Sequence, residues 1–173
     1  RVWVGTYNGL GETSGTPAPL VHEIYKTRDG LSSGVVLGIV ADDDGTLWLA
    51  TRDRGLVRFR NGAVRIFDRA AGLPSDDLYS VIDDGMGHLW CGSGQGILRV
   101  ARASLEQYDR GQIPRLPCLV YDTVDGLRSA AGYFAGSPAA WRSRDGRLWF
   151  CTRRGVAVVD PRHGAHVDGD RRG

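Results

Sequence analysis

The residues best suited to chemistry in this 173-residue chain are scattered rather than convergent. The acidic run Asp42-Asp43-Asp44-Gly45 could offer oxygens to calcium, which needs several of them converging at once. No spaced Asp ligands and distal Glu follow, so the run reads as a solvated turn. Gly92-Ser93-Gly94-Gln95-Gly96 has the look of a phosphate-binding glycine loop, but such loops aim a helix N-terminus at the anion. Here an apolar strand pattern follows instead. His88 falls in a turn, His22 precedes an outer strand, and His163 and His166 lie near the C-terminus, so no paired-histidine metal motif arises. Cys91, Cys118 and Cys151 are too widely spaced for a zinc pattern and read as small buried residues. Glu12, Glu23 and Glu106 are the only glutamates, so a glycosidase-type carboxylate pair would have to come from aspartates such as Asp76 and Asp77. No metal or cofactor is expected.

The composition points to turns and short strands. There are 25 glycines, one methionine and few long apolar runs, the signature of an all-β chain. The 22 basic and 20 acidic side chains leave a formal charge of +2, which gives no footprint for a nucleic-acid partner. No run approaches the roughly 20 apolar residues of a membrane span, so no membrane contact by this segment is expected.

A repeat organises the chain. Val2-Trp3-Val4-Gly5-Thr6, Leu47-Trp48-Leu49-Ala50-Thr51, Leu89-Trp90-Cys91-Gly92-Ser93 and Leu148-Trp149-Phe150-Cys151-Thr152 align in one register. The tryptophans are spaced by 45, 42 and 59 residues. The first two intervals match the period of a propeller blade, about 40 to 50 residues, and the third carries an insertion. Gly45, Gly87 and Gly146 lie in the tight turns before the last three copies, where a positive φ is needed. A second turn and strand follow each copy, as in Arg54-Gly55-Leu56-Val57-Arg58-Phe59.

The expected fold is therefore an incomplete β-propeller of about three and a half four-stranded antiparallel blades, strand A innermost and D outermost. Residues 1–31 give a partial blade with strands B to D, 32–73 a full blade, and 74–127 a full blade with an insertion near 101–117. Residues 128–162 give strands A to C of a further blade, and 163–173 an unstructured tail. Within the insertion, Ser104 with Gln107 three residues later suggests the start of a short helix. Trp3, Trp48, Trp90 and Trp149 should wedge between adjacent blades, since a role repeated in every unit is structural.

Asp44-Gly45-Thr46-Leu47-Trp48-Leu49-Ala50-Thr51, then Gly55-Leu56-Val57-Arg58-Phe59 and Gly72-Leu73-Pro74-Ser75-Asp76, closely resemble the two-component regulator propeller repeat, and the likeness runs over residues 2–160. Ser143 to Trp149 also resembles the Asp-box turn of sialidase propellers, with the glycine and the tryptophan each one residue early. The regulator resemblance implies a periplasmic sensor region of a membrane-anchored histidine kinase, hybrid regulator or diguanylate cyclase. It implies signal input rather than catalysis by this segment. In that family a small sandwich domain and a membrane helix follow the last blade, and the tail from Gly164 departs from that pattern.

Ligands of propellers meet one face near the central channel, which makes the loops from D to the next A and from B to C the place to look. They contain Thr27, Arg28, Asp53, Arg54, Ser75, Asp76, Asp77, Arg128, Tyr133, Phe134, Arg153 and Arg154. Arg128 with Tyr133 and Phe134 joins a guanidinium to two aromatic faces, suited to sugars, peptides or carboxylates, although a loop that only packs on its neighbour has the same composition. The expected partner is an unknown small molecule, sugar or peptide, or another propeller subunit. The competing expectation is a lyase- or glycosidase-type propeller enzyme whose catalytic residues lie mostly in other blades.

Overall fold

The computed structural model describes residues 2–14, 20–25, 31, 35–127, 129, 132 and 138–163. Its fourteen strands form four antiparallel sheets, each a meander in chain order. Blade I comprises β1 (Val2–Thr6), β2 (Gly9–Ser14) and β3 (Leu20–Tyr25). Blade II is β4 (Val36–Ala41), β5 (Leu47–Thr51), β6 (Leu56–Arg60) and β7 (Ala63–Phe67). Blade III is β8 (Leu78–Asp83), β9 (His88–Ser93), β10 (Ile97–Ala101) and β11 (Cys118–Tyr121). Blade IV holds β12 (Ala140–Arg142), β13 (Leu148–Thr152) and β14 (Gly155–Val159). The inner strands β4, β8 and β12 pack side by side, and β1 lies against β4. The result is an arc of a propeller.

Alternation along each strand gives every blade two apolar faces, and three cores fill the junctions between blades. Trp3 of blade I, with Tyr25, packs against Leu47, Leu49 and Phe59 of blade II. Trp48 of blade II meets Leu89, Cys91 and Leu98 of blade III. Trp90 of blade III meets Leu148, Phe150 and Ala157 of blade IV. The inner strands approach so closely that a Cβ on Gly38 of β4 would lie 3.0 Å from the Val81 nitrogen of β8. That contact explains the glycine.

The same face of blade IV is uncovered among the described residues. Trp149 is 37% exposed where Trp48 and Trp90 are 3% and 0%, and Trp141 and Val156 beside it are 63% and 58% exposed. Val2 and Val4, on the opposite face of blade I, are likewise exposed.

Two hydrogen-bond devices recur and explain the sequence pattern. At the end of each second strand a hydroxyl stitches the hairpin: Thr6, Thr51, Ser93 and Thr152 donate to the carbonyls of Gly9, Gly55, Gly96 and Gly155 at 2.9–3.0 Å. Gly55 has φ +66° and Gly96 φ +146°, and a Cβ on either would lie 2.4 Å from the carbonyl oxygen of Phe67 or Tyr121. No other residue fits there without moving the outer strand. The second device holds the indoles: Trp48 Nε1 donates to Asp42 Oδ2 at 2.8 Å, Trp90 Nε1 to Asp84 Oδ2 at 3.0 Å, and Trp149 Nε1 to Ser143 Oγ at 3.0 Å. Each acceptor lies six residues before its tryptophan, in the turn between the first two strands.

The insertion of blade III forms α1 (Arg102–Asp109), which starts before Ser104; its N-cap is Ala101, with no side-chain capping bond. Position is set by tertiary contacts instead. Leu105 is fully buried, Tyr108 packs on Phe67 of blade II, and Arg58 and Arg65 of blade II pair with Glu106 and Asp109. After the helix, the Leu116 amide donates to the Ala71 carbonyl at 2.8 Å. The insertion thus straps blade III to blade II. Of the cysteines, Cys91 is buried, while Cys118, on the outer strand of blade III, and Cys151, in the middle strand of blade IV, are only partly so.

Because Trp90 fills a closed junction and Trp149 an open one, the same truncation should cost differently. Trp90→Ala should lose about 3–5 kcal/mol in denaturant melts, and Trp149→Ala less than about half of that. Equal losses would contradict the assignment of blade IV as the uncovered end.

Candidate functional site

The meander places the B–C turns and D–A loops on one face of the arc and the A–B turns, with α1, on the other. Of the sequence-derived candidates, Asp53, Arg54, Ser75, Asp76, Asp77, Arg153 and Arg154 lie on the first. Thr27, Arg28, Arg128, Tyr133 and Phe134 fall outside the described residues. Arg54, Arg153 and Arg154 are exposed in B–C turns, as is Asp53.

Ser75, Asp76 and Asp77 do structural work in the loop from β7 to β8. Asp76 accepts the Arg69 amide on Oδ1 at 2.7 Å, and its carbonyl accepts the Gly55 amide at 2.7 Å, tying loop to turn. Ser75 Oγ donates to the Asp77 carbonyl and accepts the Asp77 amide, closing a local turn. That turn presents Asp77 to Tyr79, whose hydroxyl donates to Oδ2 at 2.9 Å. Asp77 Oδ1 is buried and has no hydrogen-bond partner among the described residues. A buried carboxylate oxygen without a donor is costly.

Tyr79 is the residue sequence reasoning missed here. It is second in β8, at the top of an inner strand, and its ring lies against Gly94 and Gly132, where a Cβ would fall 3.1 and 3.0 Å from its atoms. Burial, then the Asp77 carboxylate, raise its phenol above the ordinary range, while the charges of Arg153 and Arg52 pull it down. Asp77, Tyr79 and Arg153 therefore share one electrostatic neighbourhood. The available signal was a tyrosine standing where blade II has Leu37.

The opposite face carries an open cleft of about 500 Å³, lined by Val40, Ala41, Asp42, Asp43, Asp83, Arg102 and Arg142. None of these was singled out as a recognition residue, and the expectation that Asp42 is merely solvated fails. Besides the Trp48 indole, Asp42 receives both terminal nitrogens of Arg102 at 2.8 Å. Arg102 also grips Asp83 and lies over the Trp48 ring, 5.5 Å from its centroid. Burial alone would lower the Arg102 pKa, but its hydrogen bonds to Asp42 and Asp83 outweigh that and raise it. One guanidinium at the start of α1 thereby joins the inner-strand ends of blades II and III. His88, placed in a turn by the sequence, is the first residue of β9 and lies 3.2 Å from Asp84. Among the described residues no three His, Cys, Asp or Glu side chains are grouped to hold a metal, and no helix is long and apolar enough to cross a membrane.

Sheets of this order, packed by their faces around inner strands, define a β-propeller. Residues 30–53 match the family model described as two component regulator propeller. Two solved structures from B. thetaiotaomicron share the fold, each described as the extracellular domain of a hybrid two component system. For BT3049 the TM-score is 0.72 at 23% identity, over 92% of this chain and 20% of the other. For BT4673 it is 0.73 at 20% identity, over 94% and 22%. The chain thus spans about a fifth of the length of those structures. A virginiamycin B lyase from Staphylococcus aureus is more distant, with a TM-score of 0.51 and 12% identity over 75% of this chain and 39% of that one. No curated protein sequence matches the chain.

Asp84 provides a pH test of the indole device. It is 2% exposed, and burial raises its pKa; donation from the Trp90 indole and from the Met86 and His88 amides more than offsets this, so the net shift is downward. A depressed carboxylate stabilises the fold above its unfolded pKa and loses that contribution as pH falls through the folded value. Asp84→Asn should cost about 1–3 kcal/mol at pH 7, and the gap from the parent should narrow in melts below about pH 4. A gap constant with pH would contradict an ionised Asp84.

Proposed function

We propose that this chain is part of the extracytoplasmic sensor propeller of a two-component or cyclic-dinucleotide signalling protein, and that it recognises a small molecule or peptide rather than transforming one. The repeat family and the printed descriptions of the two B. thetaiotaomicron structures support the context. The observation that carries recognition is the orphaned Asp77 Oδ1 beside Tyr79 and under the charge of Arg153. A hydroxyl or amine of a ligand would supply the missing donor, Tyr79 a flat face, and Arg153 a counter-charge for an acidic group.

The blades are built for this role. Junction cores and strapped turns fix the scaffold, so occupancy at the loops would act by shifting the population between two arrangements of the receptor. The parent protein would supply the membrane anchor and the kinase or cyclase output.

A thermal-shift screen of the chain against sugars, peptides and organic acids tests the reading. A ligand at about 100 times its Kd adds about 2.7 kcal/mol, or about 5–10 °C in Tm for a domain of this size. Asp77→Asn, which turns an acceptor into a donor, should abolish that shift while the unliganded melt stays within a few degrees. No shift with any class, from a well-folded chain, would point to protein contacts instead.

A further inference from the structure

The cleft on the A–B face is a second, chemically distinct feature, and it does not depend on the recognition surface around Asp77. Its back wall is an ion-paired network of one guanidinium and two carboxylates. Arg102 is held by both oxygens of Asp42 and by Asp83, and Asp83 Oδ1 is further occupied by the Gly85 amide. The indole of Trp48 completes the shell of Asp42. A wall anchored on strand ends and a helix start, with every polar group satisfied, is the kind of preorganised support a binding site needs.

Two further charged side chains line the cleft outside that network. Asp43 and Arg142 are both exposed, both line the cleft, and among the described residues neither side chain makes a hydrogen bond or ion pair. They come from different blades: Asp43 from the first turn of blade II, Arg142 from the end of the inner strand of blade IV. The Arg142 guanidinium turns the edge formed by its two terminal nitrogens toward Gly85, where a Cβ would be 2.7 Å from both. At the same rung of the inner strands blade II carries Ala41 and blade III, between them, carries Asp83, whose carboxylate is held by Arg102. One carboxylate and one guanidinium thus face a common space of about 500 Å³ without reaching each other.

We infer that this cleft binds a small zwitterion of amino-acid or dipeptide size, its carboxylate on Arg142 and its ammonium on Asp43. The volume falls within the range of about 300–1,000 Å³ usual for small-molecule sites. A planar guanidinium favours a carboxylate through two parallel hydrogen bonds. The two-charge requirement separates this ligand class from simple anions and cations.

The experiment is titration of the ¹⁵N-labelled chain with glycine, glutamate and diglycine, followed by amide shifts, with acetate and methylammonium as single-charge probes. The zwitterions should perturb Gly85, Asp43 and Arg142 saturably. Arg142→Gln and Asp43→Asn should each weaken Kd at least about tenfold, as expected for losing one charge-assisted hydrogen bond. Both side chains are exposed, so the variants should melt as the parent does, and Arg110→Gln on the far end of α1 should bind as the parent does. Absence of saturable shifts with all three zwitterions would overturn the inference, as would acetate binding as tightly as glycine or an effect of Arg110→Gln equal to that of Arg142→Gln.

Discussion

The whole arc depends on burying one large indole per blade without stranding its N–H. A tryptophan in the second strand is what fills the space between two twisted sheets, and its burial removes a donor from water. The acceptor is found six residues earlier, at Asp42 for Trp48 and at Asp84 for Trp90. That single pairing dictates the hairpin between them, because the turn must bring a carboxylate back over the ring. In blade III the Met86 and His88 amides bond to the same Asp84 carboxyl that satisfies the indole, whereas in blade II the work is divided, the Thr46 amide bonding to Asp44 and the indole to Asp42. In blade IV the acceptor is Ser143, and there the indole is also the least buried of the three.

The insertion helix extends the same logic across a junction. Asp42 already belongs to the indole of blade II, and Arg102 of blade III uses it as a counter-ion while stacking on the ring. Two blades are thereby locked at their inner ends by a guanidinium and at their outer ends by Leu105, Tyr108 and Leu116. Such locking leaves the loops on the opposite face as the parts free to differ between proteins of this architecture.

Much of the fold was legible in the sequence because blade packing repeats. The Leu-Trp register, the glycines after the second strand and the period near 42–45 residues all follow from one unit stacked on itself. What was not legible depends on where separate blades meet. Asp42 looks like one member of a solvated acidic run, and only its distance from Trp48, shared by Asp84 and Trp90, signals a buried role. Arg102 hides in an insertion with no counterpart in other blades, and Arg142 is informative only beside Gly85 of its neighbour. Tyr79 could have been found as the departure from Leu37, whereas Asp77 owes its orphaned oxygen to a local turn that no pattern announces. Arg128, Tyr133 and Phe134, the most chemically suggestive group in the sequence, lie outside the described residues.

The claim beneath all of this is that each indole is buried by the next blade, which makes burial unequal along the chain. Hydrogen exchange of the five tryptophan Nε1 protons, read from their separate ¹H–¹⁵N resonances, tests it directly. The account predicts that Trp48 and Trp90 exchange only through global unfolding, while Trp141 and Trp149 exchange orders of magnitude faster through local fluctuation. Comparable protection of Trp90 and Trp149, or fast exchange at Trp48, would contradict it.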